Sequence, residues 1–218
     1  MATEKGRQSI GPWQTVREDD ILIQNQNAGD DLTGGAYYTN ANDFEISNSA
    51  FNTNSAELGG AIYNFFNSRT VLTNCSFTGN VANWNIDGAN GQGGALWDAP
   101  LNAEAGTQIT GSLFDGNTAA TKGGAIYHAG GPGDTMTITN CTFKNNIANG
   151  PYLLYGGNGG AIYNFADVIR ISNSTFTGNG KITKEGTYGG AIDVHAGTVY
   201  STDDLYDDNR GTAVFVSP

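Results

Sequence analysis

Charge is scarce in this chain. Only 14 % of its 218 residues are Asp, Glu, Lys or Arg, against roughly 25 % in an average globular protein. Positive charge is scarcer still: 10 Lys and Arg face 21 Asp and Glu, a net charge of −11. That balance argues against a nucleic-acid backbone or an anionic membrane surface as partner. Long apolar runs are missing, and none approaches the ~18 residues that a membrane-spanning helix needs, so no membrane insertion is expected. Met1–Arg7 is followed by no hydrophobic segment, so no signal peptide is read in this chain. Cysteine is limited to Cys75 and Cys141, which allows one disulfide, a free pair or half of a metal site. Amphipathic helical periodicity is absent, which removes the helical repeat classes. The length suits one domain with a sizeable core and is too short for two ordinary domains plus a linker.

Glycine is abundant, at 32 of 218 residues, about twice its usual share. Aromatics reach 11 %, and they recur with short β-branched clusters that disordered chains lack. Gly-Gly-Ala followed by an aliphatic or aromatic pair begins at Gly34, Gly59, Gly93, Gly123, Gly159 and Gly189, with a degenerate copy at Gly211. A second pattern, aromatic-x-x-Asn, alternates with it: Phe51 to Asn54, Phe77 to Asn80, Phe114 to Asn117, Phe143 to Asn146, Phe176 to Asn179 and Tyr206 to Asn209. The period is about 30 residues, within the range of solenoids and propellers. Spacings as short as 22 and 25 residues are too small for the four strands of a propeller blade, so a parallel β-helix is expected.

Counting back from each aromatic residue gives columns. Ile46, Leu72, Ile109, Ile138 and Ile171 read as an inward aliphatic stack. Asn48, Asn74, Gly111, Asn140, Asn173 and Asp203 read as an inward Asn ladder at a bend, and the final Asn of each aromatic pattern as a second ladder. Ser49, Cys75, Ser112, Cys141, Ser174 and Asp204 fill a corner with small groups. Two coils at ~4.8 Å would part the cysteines by roughly 9 to 10 Å, beyond the ~7 Å limit of a disulfide. Two inert buried thiols are expected. The glycosylation sequons at Asn74, Asn140 and Asn173 fall in the expected inward ladder, so no glycan is needed to explain them.

The alternation of Gly-Gly-Ala-Ile and Phe-x-x-Asn resembles the repeat of the chlamydial polymorphic membrane proteins and related bacterial surface proteins, over about residues 34–218. Those proteins are autotransporter passengers, and several are adhesins. The resemblance implies an extracellular or cell-surface adhesive or structural interaction module, with a host or neighbouring-cell surface protein or glycan as partner. No cofactor is implied.

In the Gly-Gly-Ala strand, alternation turns Ile62, Leu96, Ile126, Ile162, Ile192 and Val214 inward. The next residues, Tyr38, Tyr63, Trp97, Tyr127, Tyr163, Asp193 and Phe215, then form an exposed aromatic stripe, the first candidate for ligand or partner binding. Aromatic faces stack on sugar rings and also anchor protein interfaces. The insertions carrying Trp84, Tyr152 and Tyr155 are the second candidate.

Pectin-type cleavage on a β-helix needs paired carboxylates or a base with calcium. The residues for it are Asp193, Asp203, Asp204, Asp207 and Asp208 with His195 nearby, but Asp203 and Asp204 continue the ladder columns. A polar cap explains them, so no catalytic residue is assigned and carbohydrate binding or cleavage stands as the alternative. Weak calcium candidates are Asp203, Asp204, Asp207 and Asp208, and also Asp30 and Asp31. The strand edges at the ends of the solenoid offer a further reading, a homo-oligomer stacked end to end. The expected architecture is all-β: a right-handed parallel β-helix of about seven coils over residues 21–218, with residues 1–20 as a lead and possible cap.

Overall fold

A computed structural model describes residues 2–28, 33–66, 69–83, 91–100, 106–149, 158–180 and 190–216. Its named strands pair in parallel, each with the strands one turn above and below. One turn reads Ser55–Ala56, Ile62–Phe65, Arg69–Thr73 and Ser76–Thr78, then steps up to Val81–Ala82. The chain is therefore the parallel β-helix that its repeat implies.

The aromatic face stacks eight strands, from Thr3–Glu4 to Leu205–Asp207. The short face that closes each turn has four strands, extended by a bridge from Asn27 to Ser55. Among the described residues about five turns are thus closed on every side, fewer than the seven expected, because the outermost pattern copies supply partial rungs. The other two faces merge into one 13-stranded sheet where Ile162–Ser172 and Ile192–Thr202 pass the corner without a break. Residues of the N-terminal lead already belong to the stack: Thr15–Asp19 pairs with Asp43–Ser47, and Gln8–Ile10 with Tyr37–Thr39.

Alternation drives burial. In Arg69–Thr73, Thr70 and Leu72 are buried and their neighbours are not, and Met136 and Ile138 repeat this in Thr135–Thr139. The aliphatic column Ile46, Leu72, Ile109, Ile138 and Ile171 lies in the core as expected. Beside it Phe51, Phe77, Phe114, Phe143 and Phe176 are wholly buried, with ring centroids 4.7–4.8 Å apart and planes within 7°. Each buried ring contributes roughly 1.5–3 kcal/mol through removal from water.

The paired glycines have separate causes. The first of each pair has φ between 59° and 66° at Gly34, Gly59, Gly93, Gly123 and Gly159, a left-handed turn that favours glycine. The second sits under the next rung: a Cβ on Gly94 would lie 2.1 Å from the Gly124 carbonyl oxygen, and one on Gly124 would lie 2.0 Å from that of Gly160.

The second Asn ladder is present. Asn54, Asn80, Asn117, Asn146 and Asn179 are buried, and each Nδ2 donates to the next Asn Oδ1 at 2.9–3.1 Å, ending on Asn209. The first is not an inward ladder. Asn48, Asn74, Asn140 and Asn173 are exposed, with φ of 48–55°. Asn occupies these corners because it tolerates the left-handed region. The sequon acceptors Asn74, Asn140 and Asn173 therefore face outward and are not hidden in an inward ladder. The small-residue column is inward and bonded: Cys75 N–H donates to Ser112 Oγ at 3.0 Å and Cys141 N–H to Ser174 Oγ at 3.1 Å.

Candidate functional site

The Gly-Gly-Ala strands place the candidate stripe. Ile62, Leu96, Ile126, Ile162 and Ile192 are fully buried, so alternation puts the neighbouring residues on the outside. Register aligns Tyr38 with Tyr63, then Trp97, Tyr127, Tyr163 and Asp193. Their rings stack along the solenoid axis at 5.6, 4.5, 5.9 and 5.3 Å, with interplanar angles of 10–20°.

The column is less open than the sequence implied. Tyr63 and Tyr163 are buried, 9 % and 1 % exposed, while Tyr38, Trp97 and Tyr127 are half-buried. The rings spend their faces on each other, which leaves edges and hydroxyls as the accessible part. Residues just before the glycine pairs add cover: Gln92 Oε1 accepts from Trp97 Nε1 at 3.1 Å, and Lys122 Nζ donates to the Tyr163 hydroxyl at 3.3 Å, 4.6 Å from that ring's centroid. Burial pushes the Tyr63 hydroxyl up to about 12 and raises Tyr127 and Tyr163 as well. The hydroxyls remain protonated donors.

Where the column reaches Asp193 the chemistry changes. Asp193 is buried, and neither carboxylate oxygen has a hydrogen-bond partner. Burial raises its pKa to about 6 against the opposing pull of Lys122, whose own pKa burial lowers. Exposed His195 stacks on Tyr163 at 5.9 Å and on Phe165 at 5.5 Å.

A second constellation has no counterpart in the sequence reading. One residue past the outer aromatic position, the inward column runs Thr39, Asn64, Asp98, His128 and Asn164, all fully buried. His128 Nδ1 lies 3.0 Å from Asp98 Oδ2, and its Nε2 lies 3.1 Å from Asp134 Oδ2, an ion pair too bent to be a linear hydrogen bond. The signal that would reveal it is the unbroken run of polar residues at an inward position of five successive turns.

The remaining candidates do not gather. Asp204 continues the small-residue column, accepting from Ser174 N–H at 2.7 Å and from the Ser201 hydroxyl at 2.7 Å, while Asp203, Asp207 and Asp208 are exposed. Asp193 belongs to the glycine-pair face and these four to the last aromatic rung and its bend, so no pair flanks a common cleft. Among the described residues no group of three His, Cys, Asp or Glu is arranged to hold a metal. Cys75 and Cys141 are free and buried, and burial pushes both thiols up to about 11. Trp84, Tyr152, Tyr155, Asp30 and Asp31 lie outside the described residues.

Comparison with known proteins agrees with this geometry. The family described as "right handed beta helix region" matches residues 15–167, well over half of the chain. The chain belongs to the right-handed β-helix family. This β-helix is 35 % identical over 136 residues to the "Probable autotransporter YfaL" of Escherichia coli (strain K12), covering 58 % of the chain and 10 % of the relative. It is 36 % identical over 128 residues to the "Probable outer membrane protein pmp6" of Chlamydia pneumoniae, covering 52 % of the chain and 10 % of the relative. The β-helix thus spans about a tenth of the length of either relative, and the second bears out the polymorphic membrane protein resemblance. No solved structure matches it. The similarity to an autotransporter and an outer membrane protein fits a passenger-like module exposed at a cell surface.

Proposed function

We propose that this β-helix is a non-enzymatic adhesive module of a cell surface or secreted assembly, and that it grips a partner protein along the outer ring column. The observation that carries the reading is the ring ribbon itself, Tyr38 to Tyr163, stacked and cross-braced by Gln92 and Lys122. Such rings are held before any partner arrives, so little side-chain freedom is lost on binding. Ring edges and tyrosine hydroxyls offer apolar contact beside hydrogen-bond donors, the composition of protein contact centres. A sugar would need a free ring face, which the mutual stacking occupies. That favours a protein over a glycan.

The test measures attachment of the purified chain to host or neighbouring cells, with and without protease treatment of those cells, beside a glycan array. Trp97→Ala/Tyr127→Ala is the comparison variant. Protease-sensitive attachment lost in the variant supports the reading. Glycan binding lost in the variant replaces it with a lectin-like one. Attachment that the variant retains overturns it, and light scattering on the same sample then asks whether copies stack end to end instead. Leu205, Tyr200 and Val216, exposed on the last described turns, are the contacts that favour such stacking.

A further inference from the structure

The corner between Ile126–His128 and Thr135–Thr139 encloses three ionisable side chains. Asp98, His128 and Asp134 have side chains 0 %, 0 % and 2 % exposed. Each ring nitrogen of His128 faces a carboxylate oxygen, at 3.0 and 3.1 Å. An ionised carboxylate only accepts, and a neutral imidazole has one N–H, so a neutral ring would turn a lone pair on one of the two oxygens. Two N–H groups turn a proton toward each, as a hydrogen bond at Asp98 and a bent ion pair at Asp134.

The surroundings hold this arrangement in place. Asn64 Nδ2 donates to the second oxygen of Asp98 and also to Thr70 Oγ1, at 2.8 Å in the latter case. On the other side the turn folds closely over Asp134: a Cβ on Gly130 would lie 1.7 Å from Asp134 Oδ2, and Asp134 N–H donates to the Gly131 carbonyl at 3.1 Å. The rung above aligns Asn164 with His128, and the inward positions of the next face bring Thr107 and Met136. Asp98 and Asp134 are the charged groups paired with the ring, and its other named neighbours are neutral.

We propose that His128 is an imidazolium built into the middle of the solenoid, a structural proton that ties the glycine-pair face to the aliphatic face through Asp98 and Asp134. Removing that proton leaves two buried carboxylates facing one another across a neutral ring, and the corner opens locally. Burial alone would lower the His128 pKa, but the flanking carboxylates of Asp134 and Asp98 outweigh it and hold it up to about 9. A histidine whose folded pKa exceeds its unfolded value stabilises fully below about 6.5, and that stability is lost as pH rises through about 9. The device acts on the alkaline side.

Nitrogen-15 NMR of the imidazole rings in the full chain tests this directly. His195 is the only other histidine, and His195→Gln assigns the signals. At pH 7.5 both ring nitrogens of His128 are expected to carry protons, where an unperturbed histidine is about nine-tenths neutral. Amide protection across residues 126–139, corrected for the intrinsic rise in exchange, is expected to drop tenfold or more between pH 7.5 and 9.5. Asp134→Asn keeps the shape and removes one charge, so it should shift the ring's titration to lower pH. A neutral His128 at pH 7.5, protection that does not change, or a titration indifferent to Asp134→Asn would each overturn the proposal. The wild-type spectrum decides the first point even if the variant does not fold.

Discussion

Asn80 and Asn117 are joined by two hydrogen bonds that converge on one oxygen. The Nδ2 of Asn80 donates to Asn117 Oδ1 at 3.0 Å while its other proton goes to the Phe51 carbonyl at 2.9 Å. The same Asn117 oxygen also accepts the backbone N–H of Asn80 at 3.0 Å. Each side-chain amide therefore satisfies a backbone carbonyl and a backbone N–H of the turn below it, at a bend where no strand ladder can do so.

Replacing Asn117 with Ala should accordingly cost more than one hydrogen bond. The Asn80 backbone N–H, one proton of its side-chain amide and the Phe77 carbonyl all lose their partner inside the core. Each buried orphan costs about 1–3 kcal/mol, so a loss of at least about 3 kcal/mol is expected. Urea denaturation of Asn117→Ala measures it. Asn209→Ala at the half-exposed end of the ladder is the comparison and should lose less, because water replaces the missing acceptor for Asn179. Equal losses at the two sites would show that the ladder is not what holds the bends.

The glycine pairs make a sharper demand. Gly94→Ala would put its Cβ 2.1 Å from the Gly124 carbonyl oxygen and 2.7 Å from backbone atoms of Thr118, with no flexible side chain able to yield. Two rungs would have to separate, and the expected outcome is failure to fold or a loss of several kcal/mol, beyond the usual range of 0.5–3 for a point mutation. Gly116→Asn is the contrasting case. Gly116 has φ of 65° but no atom within 4 Å of an added Cβ, and Asn145 already adopts φ of 54° at the equivalent place one turn on. Near-neutral stability is expected there, read by thermal melting of the two variants side by side.

The columns that could be read from sequence are those in which one chemistry recurs. The Phe stack, the buried Asn ladder and the Ser and Cys corner repeat the same residue type at a fixed offset, and their geometry forces that repetition. The Asp98, His128 and Asp134 cluster repeats nothing: its column holds Thr39, Asn64, Asp98, His128 and Asn164, and Asp134 comes from the corner after His128 in the same turn. Pairwise complementarity, not identity, holds it together, so it shows in the sequence only as a run of unlike polar residues at one inward position. The exposed corner of Asn48 and Asn74 misleads for the opposite reason. The residue type recurs, but at an exposed left-handed corner, where Asn74 Nδ2 donates to Asn48 Oδ1 at 3.3 Å, and not in the interior. Alternation gave the direction of the outer aromatic column correctly, whereas its exposure depended on ring-on-ring stacking and on Gln92 and Lys122, which alternation does not register.

Asp193 carries a cost that can be removed. It takes a place that Tyr163 and Trp97 fill in other turns, it is 1 % exposed, and neither carboxylate oxygen is hydrogen-bonded. Burial raises its pKa from 3.8 to about 6, with Lys122 only partly opposing. A carboxyl that is a weaker acid when folded makes the fold bind more protons than the unfolded chain between about pH 4 and 6, so stability falls as pH rises through that window. Above pH 6 the full penalty applies, at most about 3 kcal/mol from the size of the shift. Asp193→Asn, which cannot ionise, should raise the melting temperature at pH 7.5 and lose that advantage below about pH 4. An unchanged melting temperature at pH 7.5 would mean that Lys122 already compensates the charge. The double variant Asp193→Asn/Lys122→Met would separate that case, since removing both partners of a compensated pair leaves stability near its starting value, while Lys122→Met alone would lower it.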